Sequence, residues 1–168
     1  MIKLPFKAVG CLLIIAVGTA AGFLFSQKLY KRREFLKNFV EFISSLETNL
    51  RFNSDDVYLL VNTCAENCGI KTLFVDDNMH LSFEKAWNET VARTAKIFPL
   101  AKSDVSLMKS FGTQLGKTDV EGQLKHLELY KVYFQKQLSD AQEAVGQKSK
   151  LYRTMGFFAG SAAALMMI

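Results

Sequence analysis

The sequence lacks the short motifs that mark the large enzyme classes. It has no glycine-rich phosphate loop, no nucleophile elbow, no His-Glu-x-x-His zinc motif and no Cys-x-x-Cys pair. Histidine is scarce too, with two residues in a chain of 168. We therefore expect a protein that is not an enzyme, with no catalytic residue, no cofactor and no bound metal.

Proline and cysteine are also rare, with two prolines and three cysteines in the chain. Because proline interrupts helices, so few prolines leave long stretches free to be helical. The cysteines do not suggest a disulfide framework, since most of the chain is predicted to be cytoplasmic and disulfides are uncommon in that compartment.

The formal net charge of +5 is unevenly distributed. Between Glu34 and Gln147 the chain has 12 Lys and Arg against 16 Asp and Glu, so this middle region carries a net charge of −4. It contains no basic run interleaved with aromatic residues, which a nucleic-acid surface would show. The excess positive charge lies at the ends, and we expect no nucleic-acid partner.

Both ends of the chain are apolar. The first apolar stretch runs from Phe6 to Phe25 and the last from Met155 to Ile168. About 20 residues of helix cross the hydrocarbon core of a bilayer, so the first stretch is predicted to be an uncleaved transmembrane helix. A secretory signal cleaved near Ala21 is the alternative. The last stretch has 14 residues, which is short for a full crossing, and whether it spans the membrane stays open.

Basic residues border each apolar stretch on the side that faces the middle of the chain. Since cationic flanks stay on the cytoplasmic side, the middle is predicted to be cytoplasmic. The predicted domains are a transmembrane segment at 1–27, a cytoplasmic helical domain at 28–153 and a C-terminal membrane segment at 154–168. The membrane-flanking cations are Lys28, Lys31, Arg32, Arg33, Lys148, Lys150 and Arg153.

Every periodic segment between the ends is predicted to be helical, because apolar residues recur three and four positions apart. The first cytoplasmic stripe runs from Phe35 to Leu50 and continues the transmembrane helix. The predicted starts and stops of the later helices are Ser54 and Gly69 for the second, Ser82 and Pro99 for the third, and Ser103-Asp104 for the start of the fourth.

The start of the last helix has the clearest local signal. Gly116 fits the residue just after a helix, and Thr118 and Glu121 fit a capping box in which each side chain binds the other residue's amide. From Val120 onward, apolar residues follow a heptad spacing that Lys131 interrupts. The predicted fold class is all-α, a cytoplasmic helical bundle with a long antiparallel helix pair continuing into N- and C-terminal membrane segments.

Few residues outside this region suggest chemistry. Cys64 and Cys68 lie four positions apart and would bind a metal only with His80 and a further ligand nearby, so we interpret them as buried thiols. Asp76-Asp77 is interpreted as a solvated turn, and His126 as a surface or half-buried residue. The acidic positions that an exposed partner surface would use are Asp55, Asp56, Glu66 and Glu128.

The stretch from Phe111 to Asp119, followed by Gln123 and a long helix into an apolar end, resembles the stage III sporulation protein AB family. The resemblance covers essentially the whole chain. The matching residues form either a structural lock or a partner surface, and we favour the lock because each has a local packing or backbone reason to be there. They are Phe111, Gly112, Leu115, Gly116, Thr118, Asp119 and Gln123.

The resemblance implies a location and a partner. Members of this family are membrane proteins of endospore-forming bacteria, placed by the mother cell in the outer forespore membrane. Their cytoplasmic domain is similar to that of the platform proteins of type II secretion and type IV pilus systems. They are thought to engage a hexameric secretion-type ATPase, stage III sporulation protein AA, together with other stage III sporulation channel components.

On this resemblance the expected function is that of a non-catalytic membrane platform, or scaffold, in a sporulation channel similar to a secretion apparatus. It would couple the cytoplasmic ATPase to the membrane machinery. The alternative is a membrane-anchored helical sensor or regulatory module, which would need a ligand pocket or a partner kinase. An enzyme with a dispersed active site is a further alternative that the absent phosphate loop argues against.

Overall fold

The computed structural model describes residues 3–52, 56–75 and 82–166. The helices of this part are α1 (Lys3–Phe52), α2 (Val57–Asn67), α3 (Phe83–Ile97), α4 (Lys102–Gly112) and α5 (Val120–Met166), with a short 3-10 turn at Lys71–Leu73. The described residues contain no strand. The predicted all-α class is confirmed.

The chain forms two compact units. One consists of Met1–Lys31 with Ala141–Ile168, and we call it the terminal unit; the other, Arg32–Asp140, is called the body. Helices α1 and α5 contribute to both units. The membrane boundaries predicted after residues 27 and 153 stay predictions, because packing between helices does not mark where a bilayer begins.

In the terminal unit, α1 and α5 pack against each other through glycine. A Cβ atom built on Gly18 would lie 2.7 Å from the carbonyl oxygen of Gly156 and 3.0 Å from the Cα of Gly160. Gly22 lies against Tyr152 and Gly156 in the same way. Because residue numbers rise along one helix as they fall along the other, the pair is antiparallel. The small residues therefore let the two backbones approach closely.

The outer faces of the terminal unit are apolar. Leu13, Val17, Leu24, Met155 and Phe158 are each more than half exposed. Within the described residues, α1 is long and apolar enough to cross a membrane. Large apolar side chains exposed side by side are typical of helices that contact lipid or another protein.

The body has one core built around the apolar stripe of α1 that begins at Phe35. Phe39 is fully buried, and its ring centroid lies 4.3 Å from that of Phe134 on α5 and 5.8 Å from that of Phe111 on α4. Lys131, the interruption in the heptad pattern, lies 3.3 Å from the Glu47 carboxylate on α1. The pairings run in opposite directions along α1 and α5, as the predicted antiparallel pair requires.

The beginnings of the helices differ from some predicted ones. Helix α2 is capped by Asp56, whose carboxylate accepts a hydrogen bond from the Tyr58 amide at 3.3 Å. The predicted cap, Ser54, lies outside the described residues. Helix α3 follows Ser82 as predicted, although that side chain makes no capping hydrogen bond. Helix α4 begins at Lys102, earlier than the predicted Ser103-Asp104 start.

Candidate functional site

The corner between α4 and α5 contains the residues that carry the family resemblance. Residues 113–119 connect the two helices. Lys117 donates its amide to the Gln114 carbonyl at 3.2 Å, which closes a turn with Gly116 in its third position. Gly116 has a φ of +77°, a value that L side chains adopt rarely. Gly116 was predicted to follow the fourth helix directly, but α4 ends at Gly112 and Gly116 lies in this later turn.

Asp119 caps α5, and the predicted capping box of Thr118 and Glu121 is wrong. The Asp119 carboxylate accepts a hydrogen bond from the Gly122 amide at 3.2 Å. Because α5 begins at Val120, Asp119 is the residue before the helix and Gly122 is its third residue. Glu121 instead binds Lys125, with 2.7 Å between the carboxylate and the ammonium nitrogen.

Gln123 ties the connecting loop to the first turn of α5. Its side chain is buried, and Nε2 donates to the Gln114 carbonyl at 3.1 Å and to the Thr118 hydroxyl at 3.2 Å. Leu115 is buried in the same loop, whereas Thr118 and Asp119 are exposed. The loop is therefore held by one buried amide side chain and one apolar anchor.

Phe111 lies at the centre of an aromatic cluster. Its fully buried ring is 5.7 Å from that of Trp87 and 5.7 Å from the imidazole of His126, measured between centroids. Nε2 of His126 donates to the Phe111 carbonyl at 2.9 Å. His126 is 8% exposed, so the prediction of a surface or half-buried histidine is wrong. The α4 carbonyl explains the burial, because it accepts a hydrogen bond from the imidazole N–H inside the core.

The indole of Trp87 leaves no room for a side chain at Gly112. Trp87 is fully buried and donates Nε1–H to the Met108 carbonyl at 2.6 Å, which holds the ring against the end of α4. A Cβ atom on Gly112 would overlap three atoms of that ring. Most of the predicted corner residues thus have a local structural reason to be there, as the lock interpretation expects.

We expect Gly112→Ala to lower the free energy of unfolding of the body by about 1–3 kcal/mol, because the added methyl group forces the Trp87 indole out of place. Chemical denaturation followed by far-ultraviolet circular dichroism measures the loss. In a Trp87→Leu background the same glycine substitution should cost less. An equal cost in both backgrounds would show that the indole does not set the requirement.

A buried ion pair in the body was not predicted from the sequence. Arg32 donates to both carboxylate oxygens of Asp104, with distances of 2.7 Å and 2.9 Å. The Asp104 side chain is 0% exposed and that of Arg32 is 18% exposed. Arg32 also donates to the Gln137 side chain at 3.3 Å, so that α1, α4 and α5 meet at this group. The hydrogen bond that Arg32 donates to the Asp104 carboxylate raises the pKa of the guanidinium above its ordinary value.

A signal for this pair was present in the sequence. Asp104 lies on the apolar stripe of α4, four residues before Met108 and seven before Phe111, which are both buried. A carboxylate on a buried stripe needs a cationic partner. Arg32 likewise lies four residues before Leu36 and seven before Phe39 on α1, which are both buried.

The other predicted membrane-flanking cations have different surroundings. In the body, Arg33 lies 3.4 Å from the Glu34 carboxylate. The side chain of Arg153 is outside the described part of the structure. Among the cations of the terminal unit whose side chains are described, the exposed ones are Lys28, Lys31, Lys148 and Lys150.

Both described cysteines were predicted to be buried, and the structure buries Cys64 fully but Cys68 only by half. The Cys64 sulfur accepts a hydrogen bond from Asn49 Nδ2 at 3.5 Å. Burial raises the pKa of both thiols, and a protonated thiol is a poor nucleophile and metal ligand. The described residues include no group of three His, Cys, Asp or Glu that could hold a metal.

The remaining candidate residues fall into two groups. Asp56, Glu66 and Glu128 have exposed side chains. Asp55, Asp76, Asp77 and His80 lie outside the described residues.

Comparison with known proteins identifies the family. The family model described as Stage III sporulation protein AB matches residues 7–168. Stage III sporulation protein AB of Bacillus subtilis (strain 168) is 24% identical over 161 residues, which cover 92% of this chain and 94% of that protein. No solved structure is significantly similar to the chain. The chain therefore belongs to the stage III sporulation protein AB family and has a role in sporulation.

Proposed function

We propose that this protein is a non-catalytic membrane platform that couples a cytoplasmic secretion-type ATPase to a sporulation channel complex. The ATPase is stage III sporulation protein AA, and other stage III sporulation channel components are further partners. In this proposal the terminal unit lies in the outer forespore membrane and the body lies in the cytoplasm of the mother cell.

One observation carries this proposal: α1 and α5 build both the apolar terminal unit and the core of the body. A domain that continues from two membrane helices has less freedom than one on a single tether. A platform needs that restriction, because a partner that does mechanical work must push against a held surface. The buried ion pair and the aromatic cluster further stabilise the body against deformation.

The polar groups of the body also fit a scaffold better than an enzyme. Asp104, His126 and Gln123 are buried, and each is used in a hydrogen bond that holds helices or the corner together. These groups are therefore engaged in packing. The net charge of −4 between Glu34 and Gln147 favours a partner with a basic surface.

The test is a binding measurement with the full chain in lipid nanodiscs and the purified ATPase. We expect the ATPase to bind these nanodiscs and not nanodiscs that hold an unrelated membrane protein with two helices. The same bait in membranes of sporulating cells should recover the ATPase. If the folded chain binds no ATPase in either assay, the platform proposal is wrong and a sensor or regulatory role becomes the better hypothesis.

A further inference from the structure

An apolar cavity of about 230 Å³ opens beside the corner in the body. Its walls include Leu50 of α1, Val57 and Leu60 of α2, Leu115 of the corner, and Val120 and Leu127 of α5. An apolar cavity of about 150 Å³ holds a benzene ring. Small-molecule sites usually measure about 300–1,000 Å³. This cavity is thus the right size for one large apolar side chain and small for a typical cofactor.

The mouth of the cavity leaves apolar surface in water. Val120 lines the wall, yet it is 46% exposed at the first position of α5. Gly116 and Thr118, which also line the cavity, are exposed as well. Apolar surface around an open cavity is a common property of binding sites.

Two acidic residues are next in sequence to the lining of the cavity. Asp56 directly precedes Val57, Asp119 directly precedes Val120, and both acidic side chains are exposed. In the described part of the chain, the neighbouring cations are engaged by other acids. Lys117 lies 2.6 Å from Glu84, and Lys125 lies 2.7 Å from Glu121. A ligand that places an apolar group in the cavity therefore lies near two carboxylates, the rim charges, that adjoin the lining residues.

We propose that this cavity is a docking site for a protein partner that inserts one bulky apolar side chain and places Lys or Arg beside Asp56 and Asp119. The buried apolar group supplies affinity, and the rim charges select a basic partner and speed its association. The inference rests on the proposed function, since it names the surface through which the platform would contact its ATPase.

Two variants test the site with the full chain in nanodiscs and the purified secretion-type ATPase as the probe. Val120→Trp places an indole in the mouth of the cavity. Asp56→Asn with Asp119→Asn removes both charges while keeping the helix caps, because Asn caps a helix as well as Asp does. Each should raise the Kd by about tenfold or more, the loss expected for a central contact. Added salt should weaken binding of the unchanged chain more than binding of the double variant.

Leu129→Trp is the matched control, since Leu129 is 48% exposed on the side of α5 away from Leu127. It should leave the Kd unchanged, and thermal melts by circular dichroism should show all variants folded. If the unchanged chain binds the ATPase and both variants bind equally well, the docking site is wrong and the platform proposal stands. If the unchanged chain does not bind, both proposals fail.

Discussion

The Asp104→Ala variant should lose about 3 kcal/mol of unfolding free energy. Removing one partner of a buried ion pair costs about 3–5 kcal/mol, because the remaining charge stays buried without its counterion. The Arg32 side chain is 18% exposed, so water reaches the guanidinium. The expected loss of unfolding free energy is therefore at the lower end of that range. Asp104 also accepts a hydrogen bond from the Ala101 amide at 2.8 Å, so the variant loses a helix cap as well.

The single tryptophan provides the measurement. Trp87 is fully buried in the body, so its fluorescence during chemical denaturation reports the unfolding of that unit. Glu121→Ala is the matched control, because it breaks an ion pair that is exposed on both sides and should cost less than about 1 kcal/mol.

The double variant Arg32→Leu with Asp104→Leu separates the ion pair from the packing around it. Since it removes both charges, it should be more stable than Asp104→Ala. If Asp104→Ala is no less stable than Glu121→Ala, the pair is not the buried contact described above.

Much of the fold could be predicted because helices depend on local pattern. The stripe from Phe35 to Leu46 is buried as its spacing predicts. The beginnings of the helices were harder, since Thr118 and Asp119 are adjacent and both can cap. The choice depends on Gln123, which binds the Thr118 hydroxyl and leaves Asp119 to accept the amide of α5. Which of the two residues caps α5 therefore depends on contacts in the folded corner, and residue type alone does not decide it.

The long-range polar contacts could not be predicted from local pattern. Arg32 and Asp104 are 72 residues apart, and the basic residues next to Arg32 suggested a membrane flank for the whole group. His126 is buried because a carbonyl of α4 accepts a hydrogen bond from its imidazole. That contact can be predicted only when the packing of α4 against α5 is known. In both cases the partner comes from another helix, and periodicity along one helix does not identify it.

The corner shows why a family-matching stretch is not by itself a functional site. Phe111 and Gly112 face the core, where packing alone accounts for them. The exposed members, Gly116, Thr118 and Asp119, lie at the mouth of the apolar cavity. One short stretch therefore packs against the core on one side and forms an exposed surface on the other. In the sequence the two sets of residues are not distinguished and look like a single motif.

Gly22→Leu should separate α1 from α5 in the terminal unit. A Cβ atom on Gly22 would overlap the Tyr152 carbonyl oxygen and lie 3.3 Å from the Cα of Gly156. Because these are backbone atoms, no side chain can move aside, and the helices must shift apart. Gly10→Leu is the matched control, since a Cβ atom there has no neighbour within 4 Å.

Cross-linking in native membranes measures this separation. The rings of Phe25 and Tyr152 have centroids 6.1 Å apart, so cysteines at these positions should be joined by a short thiol-reactive linker in a chain whose own cysteines are replaced by serine. Gly22→Leu should abolish the cross-link and Gly10→Leu should keep it. If Gly22→Leu keeps it, close glycine packing is not what pairs the helices.

The same pair of variants connects this packing to sporulation. If the platform needs both of its membrane connections, Gly22→Leu should reduce spore formation toward that of cells lacking the protein, while Gly10→Leu should sporulate normally. Immunoblotting of membranes must show equal amounts of each variant, since a loss of protein would give the same result. Suppose that Gly22→Leu abolishes the cross-link and that cells with this variant still sporulate normally. One membrane helix would then be sufficient, and the protein would not act as a platform held at two points.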